Sequence, residues 1–164
     1  MANYTVKQLH DGKLKEIPNI GGIYYIKIPR DYVFKILPKS EGRQYTSKGK
    51  SSEYTGKKLL QLQKKVETVY GKPGCYKSNI LYIGQTSHKV GLRERLREYI
   101  GFRYEEDTKP HDGGRAIWQL EGNEDFIVEI EPCGATDQPE AIEHKLILHF
   151  KAMFGEYPFA NWKS

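Results

Sequence analysis

Apolar residues along this chain recur at two spacings, which separate predicted strands from predicted helices. Three short apolar runs are bounded by glycine, proline or polar residues, as the strands of a half-buried sheet are. In the third run, Phe126, Val128 and Ile130 occupy alternate positions. The pattern predicts strands over residues 23–28, 79–85 and 125–130.

Three longer segments carry apolar residues three and four positions apart, the spacing that puts them on one face of a helix. Gly71 follows the first of these segments and Gly155 the last, and glycine commonly ends a helix. Asp137 and Glu140 have the spacing of a capping box that opens the last helix. The predicted helices cover about residues 59–69, 90–100 and 137–154, with a shorter one at 6–10.

These elements predict one α+β domain that covers residues 1–164. A chain of 164 residues can bury a core without disulfides or a structural metal. We expect a small central antiparallel sheet of about three strands, flanked by helices. Residues 30–78 form an insertion between the first two strands, which a hairpin would otherwise join.

Positive charge is concentrated in that insertion. The net charge is +5, yet residues 30–79 hold 12 Lys or Arg and 4 Asp or Glu, so their balance is +8 and the remainder carries −3. A basic segment on a mildly acidic body favours a polyanionic partner, and a solvated lysine-rich face is the alternative. Four lysines lie off the apolar stripe of the 59–69 helix and are the predicted phosphate contacts: Lys57, Lys58, Lys64 and Lys65.

Several classes of protein are disfavoured. Cys75 and Cys133 are the only cysteines, without metal-ligand spacing, so neither a disulfide framework nor a zinc finger is expected. A reducing, cytoplasmic setting is the default. No stretch reaches the roughly 18 apolar residues of a membrane span, and the first residues lack the apolar region of a signal peptide. We therefore expect no membrane association.

Glu143 lies inside the apolar face of the last predicted helix. At about 100° per residue it falls between Ile142 and Ile147. A charged, unpaired carboxylate there costs several kcal/mol, so it needs a cation, an arginine or a proton. A buried ion pair and a metal-ligand role both meet that need. On the preceding helix, Arg93 and Arg95 flank the apolar stripe on opposite sides, and the helical period does not choose between them.

The first two predicted strands each carry a tyrosine-glycine triplet, Gly22-Ile23-Tyr24 and Tyr82-Ile83-Gly84. An arginine-rich helix, a His-Asp-Gly-Gly-Arg turn, a strand, the helix with Glu143 and a late asparagine follow in order. In this order the chain resembles the GIY-YIG endonuclease superfamily, partly over the first strand and continuously over residues 79–161. Matched by motif position, the resemblance implies six active-site residues: Tyr24, Tyr82, Arg95, His111, Glu143 and Asn161.

The resemblance implies hydrolysis of a phosphodiester bond. Tyr24 would act as general base, and adjacent cations would have to lower its pKa from the usual value near 10. Arg95 would hold the scissile phosphate with its bidentate fork. Glu143 would carry one Mg²⁺ or Mn²⁺, a cation that prefers oxygen ligands. Roles in orienting groups or closing the site would fall to Tyr82, His111 and Asn161.

The chain departs from the family pattern at two points. The family usually joins its two tyrosine strands by a short hairpin, whereas residues 25–81 separate Tyr24 from Tyr82 here. We interpret this segment as a substrate-recognition insertion. Tyr99 stands four positions after Arg95, where many members have histidine, so the proton pathway behind the site is not implied by the resemblance.

The prediction is thus a Mg²⁺-dependent DNA endonuclease, with duplex DNA favoured, that acts as a monomer or homodimer. Arg93 and Arg115 join the four lysines as predicted DNA contacts. Because the chain ends soon after Asn161, a restriction-type, phage or mobile-element nuclease is expected, with recognition built into the insertion. The alternatives are a catalytically inactive nucleic-acid-binding domain of the same fold, and a purely structural or partner-binding domain.

Overall fold

The structure is a computed structural model, which describes residues 2–42, 53–106 and 113–164. These residues form an α+β fold, as the sequence predicts. Its strands are β1 (Ala2–Thr5), β2 (Gly22–Lys27), β3 (Ile80–Thr86) and β4 (Ile127–Pro132). Its α-helices are α1 (Val6–His10), α2 (Gly56–Lys65), α3 (Leu92–Arg103) and α4 (Pro139–Phe154).

All strands pair antiparallel in one sheet, in the order β1-β4-β2-β3. The sequence predicts about three strands, and β1 is the additional one. It was not predicted because the segment has only four residues and contains no large aliphatic side chain, and its Ala2 and Asn3 are exposed. β1 is stabilised by its pairing with β4, which sets Tyr4 opposite Val128.

Two predicted helix boundaries are wrong, each for an identifiable reason. α3 continues past the predicted end at residue 100, because Ile100 and Phe102 are both buried against the core. The predicted capping box of α4 is absent. Gln138 is the N-cap, and an oxygen of the Asp137 carboxylate accepts the backbone N–H of Gly134 at 2.7 Å.

The other end of α4 agrees with the sequence. Gly155 ends the helix in the left-handed region at φ 78°, a conformation that glycine adopts without strain. Ile147 and Phe150 of the predicted apolar stripe are buried. Met153, which the helical wheel assigns to the same stripe, is instead 62% exposed.

The insertion contains the predicted helix and is docked onto the body. α2 passes into a π-helical turn, Val66–Tyr70, which Gly71 ends at φ 92°. The buried side chain of Gln119 holds the insertion at two points. Its amide donates to the carbonyls of Leu37 and Tyr54 at 3.0 and 3.1 Å and accepts the backbone N–H of Tyr54 at 2.8 Å.

The sheet has a core on each face, and the alternation along β2 divides its side chains between them. Tyr24 and Ile26 belong to the larger cluster, which also contains Trp118. Ile23 and Tyr25 belong to a smaller cluster that includes Ile147 of α4. β2 is buried on both faces because one of these clusters packs against each face of the sheet.

None of the helices in the described ranges is long and apolar enough to span a bilayer.

Candidate active site

The two tyrosine-glycine triplets meet in the sheet. β2 and β3 pair so that Tyr24 lies directly opposite Gly84. A Cβ atom at Gly84 would stand 2.6 Å from the Tyr24 hydroxyl oxygen and 2.8 Å from its Cε1. Glycine at this position therefore lets the Tyr24 ring lie across the neighbouring strand.

Tyr24 is the centre of an aromatic cluster. Its ring centroid lies 6.0 Å from that of Tyr82 and 6.3 Å from that of Tyr99. Tyr99 in turn lies 4.7 Å from Trp118 and donates its hydroxyl to the Gly114 carbonyl at 2.8 Å. Tyr99, at the position where the resemblance implies histidine, thus ties the tyrosine pair to the Gly113–Gly114 turn. The sequence marks Tyr99 only as a departure from the motif.

The two candidate arginines of α3 have different surroundings. Arg93 donates its Nε to the carbonyl of Ile17 at 2.8 Å. Arg95 is hydrogen-bonded to the Tyr24 hydroxyl and interacts electrostatically with Glu143, and its Nη1 lies 3.7 Å from Glu98. Arg95, which motif position selects, is therefore the arginine of α3 beside the tyrosines.

Glu143 is half-buried, and its pKa is raised to about 7. Burial is the largest cause and the charge of Glu140, one turn earlier, adds to it, whereas Arg95 opposes both. Within the described part of the chain, no three His, Cys, Asp or Glu side chains cluster to hold a metal ion. Any cation bound here would therefore rest on Glu143, with Glu140 as its nearest acidic neighbour.

The pKa of Tyr24 contradicts one expectation. Burial raises this pKa above the ordinary value, while the charge of Arg95 and hydrogen bonds with Arg95 and Tyr82 lower it, and Glu143 raises it further. Burial outweighs the adjacent cation, so the expected lowering is wrong for the protein without ligand. The pKa of Tyr82 is likewise raised well above its ordinary value, chiefly by burial.

Asn161 is buried, and both ends of its amide bind one residue. Its Oδ1 accepts the backbone N–H of Ile83 and its Nδ2 donates to the Ile83 carbonyl, each at 3.0 Å. Asn161 therefore pins its segment to the outer edge of β3, beside Tyr82. His111 lies outside the described residues.

A cleft of about 850 Å³ lies beside these residues, and Glu143 and Tyr82 line it. A second cavity of about 670 Å³ adjoins it and shares Glu140, Glu143 and Ser164. Tyr24, which is fully buried, does not line either one. The two cavities make one trough with Glu143 where they join.

The predicted DNA contacts separate into three groups. Lys58 and Arg115 line the cleft, Lys58 over the Trp162 ring at 4.2 Å and Arg115 over the Tyr54 ring at 4.6 Å. Lys57, Lys64 and Arg93 are exposed and do not line it. The assignment of Lys65 to the phosphate-facing set is wrong, because this side chain is only 3% exposed.

Two aromatic residues of the cleft wall were not predicted. The Tyr54 and Trp162 rings lie 5.1 Å apart, and the Trp162 indole N–H and the Arg115 Nε both donate to the Tyr54 hydroxyl at 3.1 Å. Tyr54 comes from the insertion and Trp162 directly follows Asn161. That adjacency is the one signal in the sequence that could have identified Trp162.

No protein-family model, no curated protein and no solved structure matches this chain.

Proposed function

We propose that this protein is a Mg²⁺-dependent endonuclease of the GIY-YIG superfamily that hydrolyses phosphodiester bonds in DNA. The observation that carries the proposal is the grouping of Tyr24, Arg95 and Glu143, in which Arg95 lowers the pKa of both Tyr24 and Glu143 and Glu143 raises that of Tyr24. They come from β2, α3 and α4, and the motif order assigns all three to one site. Perturbed titratable groups beside a cleft are typical of catalytic sites.

The shape of the site supports a polymeric substrate. The trough extends to both sides of Glu143, from Lys58 and Arg115 in one cavity to His88 and His144 in the other. An extended groove with cations on one wall suits a phosphodiester chain better than a small, enclosed ligand. The reacting phosphate would lie near Glu143 and Tyr82. Arg95 does not line either cavity, so it would contact the phosphate from beside Glu143.

Glu143 fits a divalent cation, because burial and Glu140 both oppose its negative charge and a cation would relieve that cost. Bound Mg²⁺ or Mn²⁺ would neutralise charge on the phosphoryl oxygens. Arg95 would hold the phosphate from the other side, with two parallel N–H donors that a lysine lacks. Arg95 would thereby stabilise negative charge that develops on the phosphate as the bond breaks.

The proton acceptor in this scheme is Tyr24, assisted by Tyr82. Tyr82 lines the cleft and is hydrogen-bonded to Tyr24, so it would connect the buried hydroxyl to an attacking water. The charge of Glu143 raises the pKa of both tyrosines. Neutralising that carboxylate would remove one cause of the raised values and bring the pair closer to ionisation.

A catalytically inactive nucleic-acid-binding domain is the second candidate. The burial of Tyr24 favours it, because a phenol that is closed off from the cleft and raised in pKa is a poor base. A cleavage assay on supercoiled plasmid and on single-stranded DNA, with Mg²⁺ and with excess chelator, separates the two. Cleavage that needs Mg²⁺ and is lost in Glu143→Ala supports the nuclease. Binding without cleavage supports the second candidate.

A further inference from the structure

Lys65 is a buried lysine that the proposed function leaves without a task. It belongs to α2 of the insertion, and its side chain is only 3% exposed. Its ammonium donates to three backbone carbonyls, those of Pro158, Phe159 and Asn161, at 3.1, 3.3 and 2.8 Å. The same ammonium lies 4.3 Å from the Trp162 ring centroid. Every donor of this ammonium therefore has a nearby acceptor.

No carboxylate in the described ranges forms an ion pair with this ammonium. Burying such a charge is costly, so the three carbonyls must solvate it in place of water. Burial lowers the pKa of Lys65 to about 8, and Glu156 opposes this effect. The ammonium form therefore still predominates at neutral pH. Three converging carbonyl oxygens and an aromatic face suit a compact cation and no neutral side chain of the same length.

The segment that Lys65 holds is the one that covers the edge of β3. The Ala160 N–H donates to the Leu81 carbonyl at 2.8 Å, and Asn161 binds Ile83 through its amide. Leu81 and Ile83 directly precede and follow Tyr82 in β3, so these bonds flank Tyr82. Trp162, the next residue, forms part of the cleft wall.

We propose that Lys65 is a positioning residue of the active site, which holds residues 158–162 against β3 and thereby fixes the edge of the cleft that carries Tyr82 and Trp162. The role in catalysis rests on the proposed nuclease function. The insertion would then have two tasks that can be separated. Its exposed lysines would attract the polyanion, and Lys65 would complete the site.

The test compares Lys65→Met with Lys72→Met, which removes an exposed lysine from the same insertion. Hydrogen exchange at the Ile83 amide reports the bond to Asn161 and needs no enzyme activity. We expect the Ile83 amide to exchange at least ~10-fold faster in Lys65→Met and at the wild-type rate in Lys72→Met. Unchanged protection of Ile83 in a folded Lys65→Met protein would overturn the positioning role.

Single-turnover cleavage at saturating protein tests the catalytic part. Displacing a positioned group costs about 10- to 100-fold in rate, so we expect that loss in Lys65→Met with DNA affinity nearly unchanged. The opposite result, weaker affinity with an unchanged rate at saturation, would make Lys65 a DNA contact and overturn the proposal. If wild type does not cleave, the nuclease function fails, and the exchange measurement still decides whether Lys65 positions this segment.

A second variant guards against misfolding of Lys65→Met. Lys65→Arg keeps the charge, but a planar guanidinium cannot direct its donors at three oxygens around one point as an ammonium does. We expect this variant to fold, with partly lost Ile83 protection and a rate between those of wild type and Lys65→Met. Loss of Ile83 protection with a wild-type rate in Lys65→Arg would reject the link between positioning and catalysis.

Discussion

Tyr24 is the residue at which motif and surroundings disagree most. Motif position makes it the general base, whereas the fold buries it completely and raises its pKa. A buried hydroxyl can still serve if a neighbour transmits the proton, and Tyr82 is hydrogen-bonded to it and lines the cleft. The role of Tyr24 thus depends on groups that only the fold brings together.

We expect Tyr24→Phe and Arg95→Ala each to lower the cleavage rate by at least ~100-fold, the scale of losing a general base or a principal charge-stabilising group. Arg93→Ala is the matched control, because Arg93 donates to the Ile17 carbonyl, whereas Arg95 is hydrogen-bonded to Tyr24. Single-turnover rates at saturating enzyme measure the difference. A larger loss in Arg93→Ala than in Arg95→Ala would reverse the assignment.

Glu143 should lower the stability of the protein in the absence of a cation. Its pKa is about 7 in the folded protein and near 4.5 in the unfolded chain, so the folded state holds a proton that the unfolded state releases. The contribution of this group is most favourable below pH ~4.5 and is lost as the pH rises through about 7. We expect Glu143→Gln to be more stable than wild type at pH 8 by ~1 kcal/mol, a figure reduced for solvent screening.

Urea denaturation with chelator at pH 5 and pH 8 measures this effect, and the difference between the proteins should shrink at pH 5. Mg²⁺ should then stabilise wild type at pH 8 and leave Glu143→Gln unchanged, since a ligand that binds only the folded state raises its stability. Equal stabilisation of both proteins by Mg²⁺ would remove Glu143 as the cation ligand.

Much of the candidate site is predictable from local sequence, within a clear limit. The position of Glu143 within the apolar face of its helix correctly predicted a carboxylate whose charged form is disfavoured by burial. Lys65 shows the limit, because its position on the helical wheel gives no sign of the three carbonyls from residues 158–161 that receive its ammonium. The direction of the Tyr24 pKa shift could not be predicted for the same reason. Burial by elements distant in sequence raises this pKa more than the neighbouring cation lowers it.

Helices and strands whose apolar residues recur at a regular spacing were predicted from the sequence. Those that form only through contact with another element were not. α2 and β3 follow from their apolar spacing alone. β1 has exposed residues at its start and exists through its pairing with β4. The end of α3 likewise depends on the burial of Phe102, which the local spacing does not reveal.

The exposed face of α2 should contribute general affinity for DNA. Lys57, Lys58 and Lys64 remain the candidates after Lys65 is excluded. Each lysine–phosphate interaction that a triple glutamine variant removes should reduce the salt slope of log K by roughly 0.9 on duplex DNA. The measurement is binding affinity across a salt series. An unchanged slope would make this face of the helix a solvated surface with no part in binding.

At the scale of the whole molecule, the excess positive charge and the proposed catalytic residues lie on different parts of one fold. Residues 30–79 carry a balance of +8, and the remainder, which supplies Tyr24, Tyr82, Arg95 and Glu143, carries −3. The insertion nevertheless reaches the site, because Tyr54 and Lys58 line the cleft. In the proposed function, recognition and cleavage would therefore meet along one wall of the trough.

As a proposed nuclease with a single active site, each chain would cut one strand. We expect a monomer to nick supercoiled plasmid, so that open circles accumulate before linear DNA appears. A double-strand break would need two chains or two successive events, and a two-fold dimer would tie it to a palindromic sequence. Gel analysis of the plasmid time course, with the oligomeric state measured under the same conditions, tests this. Direct conversion to linear DNA by a proven monomer would contradict it.

The two tryptophans provide a built-in optical probe of the cleft. Trp118 is fully buried, and its indole N–H has no hydrogen-bond partner in the described structure, so its emission should be blue and protected from quenchers. Trp162 is partly exposed, and the ammonium groups of Lys58 and Lys65 lie 4.2 and 4.3 Å from its ring centroid. Those positive charges should draw iodide to Trp162, and a polyanion in the cleft should displace it. Iodide quenching could therefore follow occupancy of the cleft by a nucleic acid without any label.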